Sequence, residues 1–218
     1  DDRKTLTTVF TDKTQTQEWL AYAYSFLGGA NQDVTSKGRT AHCFADDMYY
    51  GDRDSQYGEG ETRGSYNALK LGNYGENWNQ EAWYYCYKGI YQASVFIHNV
   101  DQNTEMTAED RIDYKGQARC VRAYYYWLLL RKYGPVPIMP DEGADYTKSY
   151  DELAIPRSTY EEVVDYISKE MIQAAKEIKY VHRDEGNAAR PTKGACLATR
   201  ALAYIYAASP LANGQLQN

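Results

Sequence analysis

The sequence predicts a mainly all-α chain, built from helical hairpins and interrupted by two long loop insertions. Three observations lead there. Apolar residues recur at three- and four-residue spacing in five stretches. Residues that start and stop helices bound those stretches. Two segments, roughly 30–78 and 135–156, lack periodicity and read as loops. At 218 residues the chain is long enough to bury a core, and it reads as a single helical domain over 1–218.

The first helix is predicted after Thr14, with Gln17 completing a capping box. Leu20, Ala23, Tyr24 and Leu27 share its apolar face, and Gly28-Gly29 stop it. The second spans about Asn79 to Val100, with Ala82, Cys86, Gly89, Ile90, Ala93, Ile97 and Val100 at helical spacing. The third starts at Thr107, with Asp110 three residues on, and runs through Ala118, Val121, Tyr125, Leu128 and Leu129. It stops at Tyr133-Gly134-Pro135, because Gly accepts a left-handed backbone and Pro lacks the amide hydrogen.

The fourth helix is expected to begin with a capping box of Ser158 and Glu161. Tyr160, Val163, Val164, Ile167, Met171, Ala174, Ala175 and Ile178 follow one stripe. The fifth follows Pro191-Thr192 and carries Ala195, Ala198, Ala201, Leu202, Ile205 and Ala208, small residues that let another helix approach. Ser209-Pro210 ends it. Short connections make helices two and three antiparallel neighbours, and four and five a similar pair. These hairpins resemble tetratricopeptide repeats, although the repeat consensus matches poorly.

Composition excludes several classes. Net charge is −6 with scattered basic residues, which argues against a nucleic-acid groove. No apolar run is long enough to span a membrane. The opening Asp1-Asp2-Arg3-Lys4 has no hydrophobic region of a signal peptide, so the protein is either cytoplasmic or seen without its export segment. Cys43, Cys86, Cys120 and Cys196 form no Cys-x-x-Cys pair, and buried free thiols are expected, with disulfides still open. His42, His98 and His182 lack metal-ligand spacing. The acids Asp46, Asp47, Asp52 and Asp54 read as loop or cap residues, with a glycosidase pair or a calcium site as the weaker alternatives. No phosphate loop or nucleophile elbow occurs. The sequence thus points to no catalytic residue, no metal site and no cofactor.

Tyrosine is over-represented, at 23 against 4 Phe and 4 Trp. Most of these rings are expected at helix contacts with their hydroxyls at the rim. One stretch invites a different reading. Tyr57, Tyr66, Tyr74, Trp78 and Trp83 interleave with Arg63, Asn67, Asn73, Asn77 and Asn79. Flat rings stack on the apolar face of a sugar, and amide and guanidinium groups reach its hydroxyls. Tyr57, Arg63, Tyr74, Asn77, Trp78 and Asn79 are therefore the candidate glycan contacts, while Trp83 is expected to pack the start of helix two.

These residues also carry a family resemblance. Trp83-x-x-x-Tyr87-x-x-Ile90-x-x-Ala93, Arg119-Cys120-Val121-Arg122-Ala123-Tyr124-Tyr125-Tyr126 followed by Tyr133-Gly134-Pro135-Val136-Pro137, Ile155-Pro156-Arg157-Ser158-Thr159, and Arg190-Pro191-Thr192-Lys193-Gly194-Ala195 together resemble the SusD/RagB family of nutrient-binding outer-membrane proteins. Ser94 stands where the family usually has Asn. The resemblance implies a non-catalytic lipoprotein of the bacterial cell surface, anchored at the outer membrane through a cysteine preceding Asp1. It implies capture of a glycan, or in some branches a peptide, for a TonB-dependent, SusC-like transporter. It further implies that this chain is the N-terminal portion of a longer protein, and that Arg119 and Arg122 tie helices to loops. A protein- or peptide-binding helical scaffold is the second reading, and a carbohydrate-active enzyme the third.

Overall fold

The computed structural model describes residues 5–30, 82–141, 149, 151, 154–184 and 187–214. The elements are α1 (Leu6–Thr11), α2 (Lys13–Ser25), α3 (Leu27–Ala30), α4 (Trp83–Asn99) running into a 3-10 turn (Val100–Gln102), α5 (Ala108–Tyr133), α6 (Tyr160–Glu177) and α7 (Lys193–Ala207). Among the described residues there is no strand.

The N-terminal helices depart from expectation. Thr5 and Thr8 cap α1, a helix too short to show periodicity. Asp12, not Thr14, starts α2, its carboxylate accepting from the Gln15 amide at 2.8 Å. Gly28 lies inside α3 rather than ending a helix. The longer helices follow the sequence closely. Thr107 caps α5, and Gly134 ends it at φ 69°. Thr192 caps α7. The α6 capping box is Thr159 with Glu162, one residue later than predicted. The Ser158 amide instead donates to the Val136 carbonyl at 3.2 Å, which keeps Ser158 in the extended connection.

From α5 onward, each helix runs antiparallel to the one before. Ala82 meets Tyr133, and Ser94 meets Arg122, across α4 and α5. Arg119 meets Glu177, and Tyr126 meets Tyr166, across α5 and α6. Lys193 meets Tyr180, and Arg200 meets Ser168, across α6 and α7. This is the predicted repeat-like stacking. The α5–α6 crossing is close: a Cβ at Gly116 would lie 2.8 Å from the Glu177 Cβ and 2.9 Å from the Ile178 nitrogen. Phe10, Leu20, Phe96, Val100 and Ala118 form a separate apolar cluster that holds α1 and α2 to α4 and α5.

The α7 stripe faces the other way from that expected. Its buried residues are Cys196, Thr199 and Ala203, whereas Ala195, Ala198, Ala201, Leu202, Ile205 and Ala208 are exposed. Alanine and threonine suffice for the close contact with α6, and the bulkier apolar side chains remain outside.

Candidate functional site

Tyr57, Arg63, Tyr74, Asn77, Trp78 and Asn79 all lie outside the described residues, as do Cys43, His42 and the acids at 46, 47, 52 and 54. The structure does describe the frame to which that stretch returns at Ala82. The first turn of α4 has no side-chain cap of its own, since its N-cap is Ala82. The Tyr133 hydroxyl, from the far end of α5, accepts from the Ala82 amide at 2.7 Å and the Trp83 amide at 3.2 Å. It thereby satisfies two of the orphan amides of a helix start.

Trp83 packs as expected. Its ring lies 4.9 Å from Tyr87 and 5.3 Å from Tyr133, with the Arg157 guanidinium 5.4 Å from its centroid. Arg157 also donates to the Pro135 carbonyl at 2.7 Å, and the Tyr87 hydroxyl to the Pro137 carbonyl at 2.8 Å. The Tyr-Gly-Pro-Val-Pro stretch is thus a clamp that fixes the start of α4. Burial pushes the Tyr87 phenol well above its ordinary value, so its hydroxyl remains a donor at neutral pH.

Behind this frame lies an ion network around the buried Arg122, with part-buried partners on α5 and α6. Glu170 accepts from Arg119 at 3.2 Å and from Arg122 at 2.6 Å, and Glu177 accepts from Arg119 at 3.0 Å. Arg122 also reaches Ser94 Oγ at 3.1 Å and Asp141 at 2.8 Å. Arg119 therefore ties helix to helix, while Arg122 ties α5 to both helices and the loop. Ser94, where the resemblance leads one to expect Asn, accepts from that arginine.

The described tyrosines range from buried to exposed. Tyr125 and Tyr126 are buried, with hydroxyls bonded to the Ala23 carbonyl at 2.6 Å and the Met139 amide at 2.9 Å. Burial raises both phenols, Tyr126 to about 12. Tyr22, Tyr84, Tyr85 and Tyr91 instead expose their rings on α2 and α4, with Tyr84 54% exposed. Tyr84 and Tyr85 stand edge to face at 5.4 Å, and the Lys88 ammonium lies 4.7 Å over Tyr84. Sequence reasoning passed over these surface rings. The available indication was that positions 84, 85 and 91 fall off the apolar stripe of helix two.

Two concavities lie among the described residues. A polar cavity of about 120 Å³ is lined by Asp113, Tyr114, Gln117, Tyr180, Arg183 and Arg190, among others. Its groups are largely engaged with one another. Asp113 accepts from the Lys179 amide, Arg183 and Gln117, and Gln117 accepts from Arg190. It has room for a few waters and works as a polar joint between α5 and the α6–α7 connection. A larger groove of about 370 Å³ opens beside α2, lined by Leu20, Ala21, Tyr24, Leu27, Gln17, Ala189 and Arg190. Its size falls within the range of about 300–1,000 Å³ typical of small-ligand pockets.

A family model described as SusD-like, starch-binding associating with outer membrane, matches residues 6–206. The chain belongs to the SusD-like family. SusD-like protein P25 of Formosa agariphila is 32% identical over 57 residues, which is 26% of this chain and 11% of that protein. A SusD-like protein of Bacteroides fragilis superposes with a TM-score of 0.67 at 18% identity, over 94% of this chain and 36% of its own. A laminarin-binding SusD-like protein gives 0.70 at 16% identity, over 90% and 40%. Surface glycan-binding protein A of Bacteroides uniformis gives 0.70 at 21% identity, over 89% and 42%. At these identities the superpositions establish a shared fold. This SusD-like chain spans well under half the length of these relatives.

Proposed function

We propose that the protein captures a glycan at the bacterial cell surface without transforming it, and delivers it to a TonB-dependent, SusC-like transporter. The chain is the N-terminal part of that receptor, which a lipid on a cysteine preceding Asp1 holds on the outer membrane. The observation that carries this reading is the set of exposed rings on α2 and α4, of which Tyr84 and Tyr85 follow the candidate contacts closely in sequence. Tyr57, Tyr74 and Trp78 would supply stacking faces, and Arg63, Asn77 and Asn79 the hydrogen bonds to hydroxyls. Each stack covering about 60 Å² of apolar area contributes roughly 1.5 kcal/mol. Two or three stacks, less ordering costs, give an affinity on the order of millimolar to micromolar, which suits an oligosaccharide better than a single sugar.

A panel of plant, host and microbial oligosaccharides tested by isothermal titration calorimetry decides the matter, with the full-length protein alongside. A saturable heat with one glycan class, lost in Trp78→Ala and Tyr74→Ala variants that keep their helical circular dichroism, supports the reading. Undiminished binding in those variants removes the proposed contacts. No binding by either protein moves the assignment to the second reading, a peptide-binding scaffold. The apolar groove at Leu20, Ala21, Tyr24 and Leu27 favours that alternative, since it would accept an apolar side chain.

A further inference from the structure

We propose that the groove beside α2 binds a small monocarboxylate with an apolar body, its carboxylate held by Arg190. The walls of the groove come from distant parts of the chain. Gln17, Leu20, Ala21 and Tyr24 stand on α2, Leu27 on α3, and Arg190 on the connection that leads into α7. Leu20 is buried, Leu27 half-buried and Ala21 exposed, so the apolar wall runs from the core out to solvent. At about 370 Å³ the groove has room for an aryl or short alkyl acid.

Arg190 is held from two sides. Gln117 Nε2 donates to Asp113 at 2.7 Å, which commits its amide oxygen to the other direction, and that oxygen accepts from Arg190 Nη1 at 3.2 Å. The guanidinium also lies 5.2 Å from the centroid of the Tyr114 ring, whose hydroxyl accepts from Gln17 at 3.1 Å. These contacts use one nitrogen and one face. The remaining edge, Nε with Nη2, has no partner among the described residues. Two parallel N–H groups on such an edge are the donors that take a carboxylate bidentately.

No group nearby supplies that anion. Arg190 also borders the polar cavity, but the acids there are engaged with other residues. Asp113 accepts from the Lys179 amide, Arg183 and Gln117, and Asp184 accepts from Asn187. Burial pushes the Tyr24 phenol well above its ordinary value, so no phenolate faces Arg190 at neutral pH. A neutral ligand would leave the guanidinium edge to water. A dianion would bring one charge more than a single arginine answers. A monocarboxylate meets the edge with its charge and the apolar wall with its body. The groove shares no residue with the candidate glycan contacts, so this reading and the glycan reading stand or fall separately.

The test is isothermal titration calorimetry of the full 218-residue chain with phenylpropionate and, in parallel, its neutral amide. Saturable binding of the acid, at least about tenfold tighter than that of the amide, is expected, since hydrogen bonds to charged groups are worth more than neutral ones. Arg190→Gln should bring the acid down to the level of the amide. Ala21→Trp fills the groove from its exposed wall and should abolish binding of the acid while keeping the helical circular dichroism. Because Ala21 is exposed, that variant keeps the test decisive even if Arg190→Gln does not fold. Equal binding of acid and amide, undiminished binding in Ala21→Trp, or no saturable heat at millimolar acid would overturn the proposal.

Discussion

Tyr133→Phe removes one oxygen and keeps the ring that packs on Trp83. That oxygen is the acceptor for the Ala82 and Trp83 amides, at a helix start whose N-cap is an alanine. Ala82 is 1% exposed, so water is poorly placed to substitute. Leaving a buried donor unsatisfied costs about 1–3 kcal/mol, and losing a helix cap about 0.5–2 kcal/mol. The two descriptions overlap, and about 2 kcal/mol is expected. At roughly 2–4 °C per kcal/mol for a chain of this size, the thermal midpoint should fall by about 4–8 °C. Urea unfolding followed by circular dichroism measures the first quantity and a thermal melt the second. The m-value should stay unchanged, because the surface exposed on unfolding is the same. A variant within ~0.5 kcal/mol of wild type would refute the reasoning, since that is the range of a neutral surface substitution. A loss of about 2 kcal/mol would also loosen the downstream anchor of the candidate glycan stretch, and should weaken any glycan heat in parallel.

Gly116→Ala should destabilise by about 2 kcal/mol, read from the urea midpoint, because its methyl group meets the Ile178 backbone, which cannot yield without moving the helix end. Glu170→Gln leaves Arg119 and Arg122 short of a counter-charge and should cost about 3 kcal/mol. The double variant Arg122→Met/Glu170→Met should cost less than the two single changes summed, which a double-mutant cycle in urea measures. The Glu162 carboxylate accepts from the Thr159 amide and hydroxyl, which holds its pKa below the ordinary value. A lowered carboxylate contributes stability above its unfolded pKa and loses it as pH falls through the folded one. The stability gap between wild type and Glu162→Gln should therefore be present at neutral pH and close in acid, as urea midpoints across a pH series would show.

Legibility of the sequence varied with the kind of information a feature required. The end of α5 was plain because Gly134 and Pro135 stop a helix for two independent chemical reasons. The start of α6 was off by one because Ser158 and Thr159 are both good caps, each with a glutamate three residues on. Only the Ser158–Val136 hydrogen bond, formed in three dimensions, separates them. The Tyr133 cap on α4 bridges positions about fifty residues apart and leaves no periodic trace. The α7 stripe misled because apolar residues occupy more than one face, and periodicity cannot say which face meets a neighbour. The candidate glycan contacts came from loop composition alone, which names residue types suited to a sugar but carries no information on how they are arranged. The resemblance of the Arg-Ala-Tyr stretch conveyed the scaffold role of Arg119 and Arg122, but not that Arg119 binds α6 alone.

The antiparallel succession from α4 to α7 has a consequence for how the chain folds. Each of α5, α6 and α7 meets a partner made just before it, so their contacts close early and at small entropic cost. Helices α1 and α2 differ. Phe10 needs Phe96, and the Ala23 carbonyl needs the Tyr125 hydroxyl, across the whole of residues 31–81. Synthesis runs from the N- to the C-terminus, so these helices are made before α4 and α5, the helices that supply Phe96 and Tyr125. Until those partners follow, the native cover of Phe10 and Leu20 is incomplete.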